Sequence, residues 1–148
     1  MKHLFILIGL SMTVPAFAQM QDETAVKATI IQFFDGMRKA DSTLLRQTLA
    51  PGAKLQSVDN RQGVVSVKED TFDGFATTVA KAQPGDLNER LSGMTSHIDG
   101  DLATVWTLYE FIYKGKQNHC GADAFTLVRV GGDWKIQNII DTRRKCNE

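Results

Sequence analysis

The sequence predicts an α+β domain, helices first and a long antiparallel meander after them, on three observations. Apolar residues recur at helical spacing from Val26 to Met37 and again from Phe72 to Val79. From Leu91 onward the period changes to two, and the turn-forming pairs Asp99-Gly100 and Gly131-Gly132 divide the strands. The last hairpin, residues 119–130 and 133–146, carries Phe125 and Leu127 on one side of its first strand, and Trp134, Ile136 and Ile140 on one side of its second. A ribbon with one apolar face needs cover, and the amphipathic helices supply it.

Met1-Lys2-His3 opens the chain with positive charge, residues 4–14 form an apolar run too short to span a bilayer, and Ala16-Phe17-Ala18 follows. That order is a secretory signal peptide, with cleavage expected after Ala18. The folded domain is therefore expected over residues 19–148, periplasmic or secreted. No second apolar stretch of spanning length follows, so no membrane insertion is expected after cleavage. The 17 Lys and Arg residues balance 17 Asp and Glu residues, which argues against nucleic acid or anionic lipid as partners.

Asp22 is placed to cap a first helix with Val26, Ile30, Phe33, Phe34 and Met37 on one face. Asp41 or Ser42 restarts a short second helix over residues 43–49, which Pro51-Gly52 stops. Residues 53–58 and 63–67 read as strands around a polar turn. Asp70 is the expected cap of a third helix, with Phe72, Phe75, Ala76 and Val79 on one face and Pro84-Gly85 at its end. Strands over residues 91–98 and 102–113 flank Asp99-Gly100, and residues 114–117 turn into the final hairpin.

Beyond the signal segment an oxidising compartment favours a disulfide between the two cysteines, Cys120 and Cys146. Folding the hairpin about Gly131-Gly132 sets Cys120 opposite residues near 143 or 144, so a small bend in the tail brings Cys146 to it. The alternative is Cys120 as a nucleophile activated by His119. Adjacent strand residues point to opposite faces, which weighs for the bridge.

The Phe33-Phe34 helix, Leu49-Ala50-Pro51-Gly52-Ala53, Phe125-x-Leu127 and Gly132-Asp133-Trp134-Lys135-Ile136 together resemble the nuclear transport factor 2-like (NTF2-like) superfamily. Its cystatin-like cone is shared with ketosteroid isomerase, scytalone dehydratase and polyketide cyclases. More narrowly, residues 97–103, Tyr109-Glu110, His119-Cys120-Gly121 and Asp141-Thr142-Arg143-Arg144 look like small exported bacterial members described as lumazine-binding-like. The resemblance implies three helices packed on a strongly curved sheet, with a mostly apolar pocket at the wide end. The superfamily hosts enzymes, binding modules and interaction domains, so the fold does not fix the activity.

Alternation along residues 102–113 puts Thr104, Trp106, Leu108, Glu110 and Ile112 on one side, and Val105, Thr107, Tyr109 and Phe111 on the other. On the following strands His119, Asp123, Phe125 and Leu127 share a side, aligned by a two-residue turn with Trp134, Ile136, Asn138 and Ile140. We take the concave face to carry Trp106, Leu108, Phe125, Trp134 and Asn138 as ligand contacts. Glu110, His119 and Asp123 are its acid–base candidates, with Tyr109 as a partner, since a carboxylate in apolar surroundings has its pKa raised. Alternatives stay open for each. Glu110 can pair with Arg143 or Arg144 at a strand end, His119 can be a surface histidine beside the bridge, and Asp123 can bond backbone at a bulge. Asp141 and Arg143 form an ion pair tying the last strand to a neighbour, or a bulge turns them into the pocket.

No metal-ligand spacing, phosphate loop or Gly-x-Ser-x-Gly elbow occurs, so no metal or cofactor is expected. The function expected is an exported domain that binds a hydrophobic small molecule and forms a homodimer through the exposed sheet face. The alternatives are a cofactor-independent isomerase or lyase working by proton transfer, and an interaction domain whose pocket is filled by its own side chains.

Overall fold

A computed structural model describes residues 14–61 and 63–147. The elements run α1 (Val14–Lys39), α2 (Ser42–Gln47), β1 (Leu49–Arg61), β2 (Val64–Asp70), α3 (Phe72–Lys81), β3 (Leu87–Asp99), β4 (Leu102–Tyr113), β5 (Lys116–Val130) and β6 (Asp133–Thr142). The six strands form one sheet in the order β2-β1-β6-β5-β4-β3. Every neighbouring pair is antiparallel except β1 and β6.

Residues 1–13 of the expected signal segment lie outside the described residues. Asp22 does not cap α1, because the helix begins eight residues earlier; its carboxylate instead pairs with Arg129 at 2.7 Å. The helix ends where Ala40 turns to φ 55°, with Asp41 N–H donating to the Gly36 carbonyl at 2.8 Å and Ala40 N–H to that of Met37 at 3.2 Å. This is a Schellman closure. Asp41 then caps α2 through the amides of Thr43 and Leu44.

The second helix stops at Gln47 rather than Leu49, and β1 starts at once. Pro51 and Gly52 thus sit inside a strand, at an irregularity of register between Leu49 and Lys54, where a residue lacking an N–H is tolerated. Asp70 ends β2, and the Thr71 hydroxyl, accepting from Gly74 N–H at 3.1 Å, caps α3.

Three register shifts shape the concave side. Gly93, at φ 66°, lies in the bulge between Ser92 and Thr95 on β3. A second lies near Asn118 on β5, and a third near Gln137 on β6. Bulges bend a strand and increase its twist, so this sheet curls around α1. Val26, Ile30, Phe33, Phe34 and Met37 pack into that curve against Ala103, Val105, Phe125, Leu127, Ile136 and Ile139. α3 closes one side with Phe72, Ala76 and Val79.

Beyond β6 the tail folds back on β5. Cys120 and Arg144 exchange backbone hydrogen bonds of 3.0 and 2.8 Å, and Cys120 forms a disulfide with Cys146, their Cα atoms 4.8 Å apart. The 26-residue separation gives about 3–4 kcal/mol in the chain-entropy model. No helix among the described residues is long and apolar enough to cross a membrane.

Candidate functional site

The inner face of β4 is Ala103, Val105, Thr107, Tyr109 and Phe111, which are buried or half-buried while the residues between them are mostly exposed. Ala103 and Val105 belong to the core; Tyr109 and Phe111 lie further along the strand, where α1 no longer fills the cone. There a cavity of about 260 Å³ opens. Its apolar wall comes from Phe33, Phe34 and Met37 of α1, Leu55 of β1, Phe75 of α3, and Leu87, Phe111 and Ile139 of the sheet.

The polar floor is built by register. Asp123 of β5 stands opposite Thr107 of β4 and Asp141 of β6, so the two aspartates are cross-strand neighbours on one face. Glu89 of β3 pairs with Phe111 and comes in from the other side. Burial first, then the charge of Asp123, holds Glu89 well above the usual carboxylate range. Burial likewise pushes Asp123 up to about 7, countered by its hydrogen bond with Glu89. Two carboxyls that face each other in a low-dielectric site cannot both ionise cheaply, so the pair keeps at least one proton well above the ordinary carboxylate range.

Asp141 is better provided. Its Oδ2 accepts from the Tyr109 hydroxyl at 3.2 Å and from Arg143 Nε at 2.9 Å. Tyr109 sits close to the Thr142 carbonyl as well, at 2.9 Å, and Arg143 Nη2 donates to Ser57 Oγ at 3.2 Å. Burial, with Asp141 beside it, raises the Tyr109 pKa and keeps the hydroxyl protonated. Gly121, opposite Tyr109 on β5, makes this packing possible, since a Cβ there would lie 1.9 Å from the Thr142 carbonyl and 2.6 Å from the Tyr109 ring.

His119 lines the same cavity, its ring edge-on to Tyr109 at 5.6 Å and tilted against Phe111 at 5.1 Å. Its Nδ1 lies 2.7 Å from Asn118 Oδ1. Burial, then Arg143, lowers its pKa, which favours the neutral ring. Among the described residues no group of three or more His, Cys, Asp or Glu side chains is arranged to hold a metal ion.

A family model described as "Putative lumazine-binding" matches residues 21–140. The chain belongs to this family. Its fold is that of the nuclear transport factor 2-like superfamily. A nuclear transport factor 2-like protein of unknown function from Shewanella baltica superposes with a TM-score of 0.65 at 20% identity, over 84% of this chain and 95% of that one. One with a cystatin-like fold from Novosphingobium aromaticivorans gives 0.67 at 14% identity, over 91% and 92%. Another from that organism, described as "Putative Scytalone Dehydratase", gives 0.68 at 12%, over 87% and 88%. At these identities the likeness is one of fold. No curated protein is detectably similar to the chain.

Within this NTF2-like cone the expected site residues separate into three groups. His119, Asp123, Tyr109, Asp141 and Arg143 all reach the cavity. Asp141 and Arg143 do so because the bulge near Gln137 reverses the strand, so that Ile139 and Asp141 rather than Asn138 and Ile140 follow Ile136 inward. Phe125 and Trp134 face inward but belong to the packed core, Phe125 edge-on to Phe34 and Trp134 beneath the guanidinium of Arg129.

The third group is a correction. Trp106, Leu108 and Glu110 lie on the outer face, with Trp106 52% exposed and Glu110 paired to Arg90 and bonded by Gln117. Both sides of β4 are apolar in sequence, so alternation alone could not say which faces the helix. Asn138 shares the outer side with its partner Thr126. Glu89 was not among the expected residues, because β3 begins at Leu87 and not Leu91. Its signal was the alternation Leu87, Glu89, Leu91 directly after Pro84-Gly85.

Proposed function

We propose that the protein is exported and holds one small, largely apolar molecule in the cone cavity, oriented by the polar floor. The observation that carries this reading is a cavity whose wall is aromatic and aliphatic and whose ionisable groups, Asp70 at the rim apart, gather on its floor. The family's description supports a heteroaromatic ring as the apolar body. The disulfide and the N-terminal segment support export.

Thermal-shift and calorimetric screening of aromatic and heteroaromatic compounds, lumazine included, tests the reading. A ligand at 100 times its Kd adds about 2.7 kcal/mol to the folded state. Thr78→Trp, which fills the cavity mouth from α3, is expected to abolish the shift. No shift from any compound at millimolar concentration contradicts the proposal.

A second reading, a proton-transfer enzyme of the isomerase or lyase type, is favoured by Asp123, whose pKa of about 7 suits a general base. In deuterated buffer such an enzyme exchanges the α-protons of a bound carbonyl compound, and Asp123→Asn stops the exchange. Binding without exchange leaves the first reading alone.

We further propose a homodimer through the outer sheet face, supported by the exposed row of Leu102, Trp106 and Leu108 along β4. Light scattering is expected to give twice the protomer mass for the native chain and the protomer mass for Trp106→Glu. A monomeric native chain overturns it.

A further inference from the structure

The cavity floor is short of hydrogen-bond donors. Asp141, only 9% exposed, uses Oδ2 for Tyr109 and Arg143, while its Oδ1 is buried with no partner among the described residues. Asp123 is 3% exposed; the Glu89 carboxyl is its hydrogen-bond partner, and its Oδ2 has no other donor among the described residues. A carboxylate offers about four acceptor sites, so a single proton shared with Glu89 leaves most of Asp123 unanswered.

The charge count runs the same way. With one proton between Glu89 and Asp123, and His119 favoured neutral, the floor sets the carboxylates of Asp123 and Asp141 against the one guanidinium of Arg143. Asp70 adds a further carboxylate at the rim. A buried charge lacking a counter-charge is unfavourable, and an arriving cation removes the defect. The wall is compatible with one, since it is lined by Phe33, Phe34, Phe75 and Phe111, and aromatic rings attract positive charge. The acidic groups are not arranged to chelate a metal ion among the described residues, which leaves an organic cation.

We propose that the cavity takes a small organic cation, a protonated amine or amidine on an apolar body, whose N–H groups donate to Asp141 Oδ1 and Asp123 Oδ2. The proposal rests on the reading of the cavity as a ligand site. It excludes carboxylate-ended ligands, which would bring a second anion to an anionic floor.

Three probes with one body test it: 2-naphthylmethylamine, 2-naphthylmethanol and 2-naphthoic acid, titrated into the native protein by calorimetry. The amine is expected to bind about tenfold or more tightly than the alcohol, and the acid not measurably, as charge-assisted hydrogen bonds require. Asp141→Asn and Asp123→Asn each weaken the amine by about tenfold while moving the alcohol by less than about threefold. Amide shifts of Asp123 and Asp141 in the native protein, followed as amine is added, give the same information should a variant not fold. Affinity for the amine rises from pH 6 to pH 8 as Asp123, flanked by Glu89, Tyr109, His119, Asp141 and Arg143, ionises and leaves one proton on the Glu89–Asp123 pair.

An alcohol or acid that binds as tightly as the amine overturns the cation assignment and leaves the ligand site standing. Amine binding that neither variant weakens, with no shift at Asp123 or Asp141, overturns the assignment as well. If none of the three binds the native protein, the ligand site and the cation fall together.

Discussion

Asp123 couples the ionisation of the cavity to the stability of the fold, and the sign of the effect is opposite to that of a salt-bridged aspartate. Its folded pKa of about 7 lies above the unfolded value near 3.8. Below about pH 4 both states hold the proton, and between about pH 4 and pH 7 only the folded state does. The unfolded state then binds fewer protons, so this group's contribution falls as pH rises through that window. Asp123→Asn removes the dependence. Urea denaturation at pH 5 and pH 8 is expected to show the variant gaining on the native protein at the higher pH, and an equal difference at both pH values contradicts the burial of this carboxyl. Gly121 makes a second test at this scale. A Cβ there meets backbone oxygen and the Tyr109 ring, neither of which can give way easily, so Gly121→Ala is expected to cost about 1–3 kcal/mol or more in the same assay.

At the scale of elements, the α1–α2 corner and the tail bridge are separable contributors. Ala40 closes the Schellman turn at positive φ, where an L side chain costs about 1–2 kcal/mol. Ala40→Gly is therefore expected to raise the urea midpoint at unchanged m-value; a lowered midpoint contradicts the turn. The disulfide secures the segment that carries Thr142 and Arg143 over Tyr109 and Ser57. Replacing both cysteines with serine is expected to cost about 3–4 kcal/mol and to loosen the cavity floor. Helix existence and the late hairpins were legible because their signals are local: a 3.6-residue period, the Asp41 cap, and paired glycines at Gly131-Gly132 with φ of 62° and 92°. Strand ends were less so. Pro51-Gly52 reads as a stop signal, yet a register irregularity accommodates it within β1, and the same kind of reading after Pro84-Gly85 hid the first turn of alternation in β3 and with it Glu89.

For the whole molecule, what the sequence could not disclose was handedness of faces. Each strand offers two sides, and a single bulge exchanges them: the extra residue near Gln137 carries Asp141 to the concave side and Asn138 away from it. On β4, where Trp106 and Leu108 are as apolar as Val105 and Phe111, only packing against α1 decides. The curl that makes the cavity comes from three such irregularities in three strands, and none of them has a strong local signature apart from Gly93. The consequence is an apolar hollow floored by carboxyls from β3, β5 and β6, residues 52 positions apart in the chain from Glu89 to Asp141.

A carbon-detected NMR titration of the side-chain carboxyls reads that floor without any ligand. One aspartate resonance is expected to titrate near pH 7 and to vanish in Asp123→Asn. If every aspartate instead titrates near the ordinary value of about 3.9, the floor is open to water and the desolvated acidic floor does not exist.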